Sequence, residues 1–161
     1  MTDPADISVT QGFYLQRSPR NFVVLKPVVL RVEQRRLRIV DAKDRLLLDA
    51  AAPEVSARFT RLGLMHLSHD GRTHVLNRQG ANWSPSFTSR QVAELKAAGM
   101  PVPGLAGGMS GGGGDGLLNA LAGLGALADA ADGAAALASG GSLKRSWVPI
   151  LTALGCRVQT P

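Results

Sequence analysis

A chain of 161 residues with 45% hydrophobic and 4% aromatic content is the size of one ordinary domain, its core drawn mainly from Val, Leu, Ile and Ala. The net charge of +6 sits entirely ahead of residue 100: 15 basic and 9 acidic side chains precede Met100 and three of each follow it, while 14 of the 19 glycines lie beyond Gly99. So few aromatics argue against a base-stacking nucleic-acid surface, the lone Cys156 against an internal disulfide, and the most apolar stretch, 12 residues over 117–128, against a membrane span of about 20.

The first ten residues, MTDPADISVT, carry neither the basic start nor the apolar run of a secretory leader, so a reducing, cytoplasmic location is expected. Residues 1–11 read as a tail. Residues 21–78 then read as short strands separated by turns, an antiparallel meander. Val28, Leu30 and Val32 alternate with Val29, Arg31 and Glu33, which sends one set inward and the other towards water. Leu37 and Ile39 repeat the pattern against Arg36, Arg38 and Val40, with Gln34 and Arg35 left to turn the chain. Pro27 cannot donate to a ladder and should mark an edge or a bulge. Leu46 and Leu48 form a further strand, and after the break at Pro53-Glu54 so do Val55, Ala57 and Phe59.

The clearest hairpin signal is Asp70-Gly71 between residues 64–67 and 73–76, since both positions tolerate the positive φ of a two-residue turn. Thr88-Ser89-Arg90-Gln91 is a capping-box pattern that should open a helix with Val92 and Leu95 on its buried face, ended by Gly99 and the prolines beyond. Residues 100–142 form a Gly/Ala/Leu-rich flexible segment, within which a helix over 117–137 would stack Leu117, Leu121 and Leu124 on one stripe. Residues 143–161 should supply a C-terminal helix that docks on the body through Trp147, Ile150, Leu151 and Leu154, with Pro149 confined to its first turn. Leu95 to Val102 and Leu151 to Val158 echo one another as a helix end followed by an extended run.

No catalytic constellation emerges, so no enzyme and no cofactor is expected; a hydrolase is the last-ranked alternative. His66, His69 and His74 lie within nine residues, but a hairpin turning at Asp70-Gly71 pairs His66 with Val75 and Leu67 with His74, which puts His66 on the opposite face from the other two and argues against a shared metal. The run Gly111 to Gly116 lacks the Lys-Ser/Thr of a phosphate loop and contains Asp115. One cluster has shape: Arg31, Arg36 and Arg38 on the outward face of two strands, with Lys26 upstream, a candidate surface for anions or lipid headgroups.

A curled meander of six or seven strands closed by one helix resembles a pleckstrin-homology-like domain over about residues 12–99, and Arg31 with Arg36 and Arg38 resembles the basic pattern on the first two strands of its lipid-binding members. The tryptophan often found in that family's closing helix is missing from residues 90–98; Trp147 could supply it, which would make the glycine-rich segment an insertion. The expected fold is therefore α+β and mainly β, a curved antiparallel meander or small barrel. The expected function is a non-enzymatic module for protein–protein interaction or self-association, through the basic domain and the small-residue helix. The alternative is peripheral binding to anionic or phosphorylated lipid.

Overall fold

The computed structural model describes residues 3–18, 21–78, 84–100, 102–103 and 143–161. Their strands are β1 (Val9–Ser18), β2 (Asn21–Glu33), β3 (Arg36–Asp41), β4 (Leu46–Ala51), β5 (Ser56–Phe59), β6 (Met65–His69), β7 (Arg72–Asn77) and β8 (Arg157–Gln159), and their helices α1 (Ser89–Ala97) and α2 (Leu143–Leu154). One sheet holds all eight strands in the order β4-β3-β2-β1-β7-β6-β5-β8, antiparallel except where β8 runs parallel to β5. The fold is α+β, mainly β. Two-residue turns form where the alternation breaks: Gln34 and Arg35 have φ of 50° and 58°, Asp70 and Gly71 of 50° and 72°, the handedness that suits the strand twist.

The sheet cannot be flat. Residues 52–55 alone connect β4, at one end of the strand order, to β5, six strands away. Six flat steps would span about 29 Å, whereas the link from Ala51 to Ser56 reaches at most about 18 Å even when fully extended. The sheet therefore curls, although its edges β4 and β8 do not pair. Its inner face carries Phe13, Leu30, Leu37, Ile39, Ala50, Ala57, Leu67 and Leu76, none more than 1% exposed.

Helix α2 covers that inner face. Trp147, Ile150, Leu151 and Leu154 are fully buried, the Trp147 ring lies 5.8 Å from that of Phe13, and its indole Nε1 donates to Gln11 Oε1 at 2.6 Å. The Arg35 guanidinium, in the β2–β3 turn, donates to the Leu154 carbonyl at 3.4 Å, placing a cation at the negative end of the helix.

Helix α1 packs on the outer face, over β1 and β2. Its capping box is complete: Gln91 N donates to Thr88 Oγ1 at 3.2 Å and Thr88 N to Gln91 Oε1 at 3.0 Å. The same amide's Nε2 donates to the Pro27 carbonyl at 3.0 Å. Pairing between β2 and β3 begins only at Val28, so Pro27 lies where β2 is locally an edge, and its missing N–H leaves no gap in a ladder. The chain before α1 covers that edge, with Ser84 Oγ accepting from Leu25 N at 3.2 Å.

Both helices end alike. Met100 N returns to the Leu95 carbonyl at 2.8 Å and Cys156 N to that of Leu151 at 2.9 Å, each past a glycine of positive φ, Gly99 at 69° and Gly155 at 89°. The sequence echo is this shared cap.

Several boundaries differ from expectation. Ile7 and Val9 are buried and β1 starts at Val9, so residues 7–11 belong to the body rather than a tail. Met100 and Val102 pack against the core, because apolar residues just past such a cap fold back on the helix, so the first part of the 100–142 segment is not a free linker. Pro149 stands inside α2, beyond its first turn; the stripe of buried side chains offsets a helix-interior proline that costs about 3 kcal/mol. Of the two helices that could close the sheet, α2, which carries Trp147, lies on the inner face, and α1 lies outside it. Residues 117–137, with Leu117, Leu121 and Leu124, lie outside the described residues.

Gly12 marks where the α1 layer meets the sheet: a Cβ there would stand 2.9 Å from Pro103 Cδ and 3.0 Å from both Leu95 Cδ1 and Phe87 Cε1. Gly12→Val should cost about 1–3 kcal/mol, read as a lower midpoint in urea, with Gly12→Ala falling between; a midpoint unmoved by the valine would contradict this packing.

Candidate functional site

The curl divides the outer face into three zones, α1 in the middle and polar surface on either side. On one side lie the arginines singled out by their alternation. Arg31 and Arg38 are cross-strand neighbours, and Arg36 projects from the same side of β3. Lys26 does not join them: it stands opposite Leu15 and shares the parity of Val28 and Leu30, which puts it on the other face of the sheet.

Each clustered arginine meets a carboxylate. Arg31 is bidentate to Glu94 of α1, through Nε to Oε1 and through Nη2 to Oε2 at 2.8 Å, and that carboxylate raises the Arg31 pKa above its usual value. Arg36 donates twice to Asp49 Oδ1, at 3.0 and 2.8 Å, and Arg38 reaches the same oxygen at 3.5 Å. Hydrogen bonds from Arg36 first, and the charges of both arginines, hold the Asp49 carboxyl below the usual range. The alternation of β2 and β3 finds these cations; their acceptors, on a helix and a third strand, carry no local signal.

On the other side of α1 the sheet bears a polar cleft of about 290 Å³. Strand register builds it. Ser56 of β5 pairs with Ser68 of β6, which pairs with Thr73 of β7; one step along, Gln159 of β8 pairs with Arg58, which pairs with His66. Parity puts all six on the outer face. The Ser68 and Thr73 hydroxyls bond one another at 2.8 Å. His66 Nε2 is closed off from solvent and has no hydrogen-bond partner, the one such side-chain atom among the described residues. Burial first, and then the Arg58 charge, lowers the His66 pKa, so the ring is neutral at pH 7. The hairpin puts His66 opposite Val75, on the other face from His69 and His74, as its turn implies. What sequence reading missed was β8: three residues of the extreme C-terminus bring Gln159 beside Arg58, and nothing local announces a parallel partner.

No other chemistry converges among the described residues. Among the described residues no group of three or more His, Cys, Asp or Glu side chains could hold a metal ion. Cys156 is buried, which pushes its thiol up to about 11 and keeps it protonated near neutrality. No helix among the described residues is long and apolar enough to cross a membrane. Comparison with protein-family models, with curated proteins and with solved structures finds no match to the chain.

Burial also lowers the pKa of His74, helped by Arg72, so the folded state prefers both imidazoles neutral. Depressed pKa values stabilise the fold above the unfolded value of about 6.5 and cease to do so as pH falls through the folded values. The urea midpoint should be flat from about pH 8 to 7 and decline below about 6.5, with His74→Gln reducing the decline; a midpoint constant to pH 5 would contradict the burial of these rings.

Proposed function

We propose that this protein is a non-enzymatic binding module for protein–protein interaction, with a curved sheet of pleckstrin-homology-like type as its scaffold and the β4 edge, which pairs with no further strand among the described residues, as its contact. The observation that carries this reading is the edge itself. Strand β4 ends the sheet, and Leu46, at its start, is 53% exposed beside half-buried Leu47. Edge strands are commonly blunted by lysine, proline or very short length. Six residues reading LLLDAA contain neither residue type; the register slips once, between Leu46 and Leu48, and the regular run from Leu48 to Ala51 is an edge that can take a further strand through its main chain.

A second copy is the partner of choice. Two β4 edges meeting antiparallel would cover one another's exposed Leu46 and half-buried Leu47, apolar surface that a single copy leaves to water. The arginine surface has less to offer an anionic membrane, since Arg31, Arg36 and Arg38 already share the carboxylates of Glu94 and Asp49. Lipid binding through that surface is therefore the weaker reading. Catalysis has little support as well: the Ser68 and Thr73 hydroxyls bond each other and His66 Nε2 bonds neither.

Light scattering on the full chain should give a molar mass that rises towards twice the monomer with concentration, and Leu46→Lys, at an exposed position, should return it to the monomer. A monomer at every concentration, or a dimer indifferent to the lysine, would end the edge-pairing proposal.

A further inference from the structure

We propose that the cleft on the outer face of β5 to β8 binds a phosphomonoester group, with the Arg58 guanidinium and the Ser56, Ser68 and Thr73 hydroxyls as donors and His66 Nε2 as the buried contact. This site is separate from the β4 edge, at the other end of the strand order.

Four observations converge. First, the lining is rich in donors: a guanidinium, three hydroxyls, an imidazole and the Gln159 amide surround the cleft, and no carboxylate does. That set repels a metal ion or an amine and suits an oxyanion. Second, the donors come from four strands and so approach a ligand from several points across the cleft floor, which suits the several oxygens of a phosphate. Of the paired Ser68 and Thr73 hydroxyls, one proton is used between them and the other is available.

Third, His66 Nε2 is buried and unpaired in a ring that lines the cleft. An unmade bond of this kind is rare in folded proteins and costs stability until a partner arrives. Arg58 stands directly opposite His66 in the β5–β6 ladder, so an anion held by that exposed guanidinium lies beside the imidazole. Fourth, Arg58 forms no ion pair with any carboxylate among the described residues, in contrast to Arg31, Arg36 and Arg38. The cleft, at about 290 Å³, has room for a phosphate together with a few atoms of the group that bears it.

The neutral state of the free His66 ring implies proton uptake when an anion settles beside it, because a nearby negative charge favours imidazolium. The groups facing it are Arg58 across β5, Val75 across β7 and the flanking Ser68 and Gln159.

The test follows the His66 ring protons by NMR while the full chain is titrated with inorganic phosphate, with glycerol 1-phosphate, and with phosphatidylcholine vesicles containing phosphatidate. Shifts of His66 with a soluble phosphate, weakened about tenfold or more in Arg58→Gln, support the site and identify a free phosphomonoester as the ligand. Vesicle binding without a soluble response, abolished in Arg58→Gln, supports it with a lipid headgroup as the source. Arg58 is exposed, so the variant keeps the fold, verified by an unchanged urea midpoint. His66 unmoved by all three probes, or binding indifferent to Arg58→Gln, overturns the proposal.

Discussion

The curled sheet depends on one buried hydrogen bond and the helix it fixes. Curling gathers apolar side chains from every strand onto an inner face, and a face of that kind is stable only if something fills it. Helix α2 does so, and the Trp147 indole is its largest fully buried group. An indole N–H buried without an acceptor would cost about 1–3 kcal/mol; Gln11 supplies the acceptor from the middle of the sheet, so register of β1 and position of α2 specify one another. Arg35 at the Leu154 carbonyl and β8 beside β5 then fasten the far end of the same helix.

With the inner face filled, the described residues present edges and the outer face to a partner. The outer face is not uniform: α1 and the residues flanking it, Phe87 and Pro103, sit over Gly12 and Tyr14, and polar surface remains on either side. One polar zone is balanced internally. Arg31 with Glu94 ties α1 to β2, and Asp49 draws Arg36 and Arg38 together across two strands, which turns the most conspicuous cations of the chain into fastenings. The other zone has one cation, Arg58, and hydroxyls without a carboxylate among its lining groups. Net charge thus says little about where an anion would bind; what matters is which cations have already found a partner.

Local pattern made much of this legible. Strict alternation located β2 and β3, Asp70-Gly71 set the β6–β7 register and hence the face of His66, and Thr88 with Gln91 located the start of α1. The remainder depends on contacts distant in sequence. Val9 to Gln16 is buried or half-buried on both faces, so β1 lacks the alternation that marks a half-exposed strand. Strand β8 is three residues long and pairs with a segment about a hundred residues earlier. Gln11, Glu94 and Asp49 are unremarkable letters until the fold brings Trp147 or an arginine beside them. Pro149 misleads in the opposite sense, since tertiary burial of α2 outweighs a local rule.

The central claim is that α2 is an integral part of the core rather than an appendage to it. Hydrogen exchange of the Trp147 indole N–H, followed by NMR, tests this most directly. The account predicts exchange only through global unfolding, with a protection free energy equal to that from urea denaturation; exchange within minutes while the β2 and β3 amides stay protected would mean that the helix detaches from an otherwise intact sheet, and would contradict it.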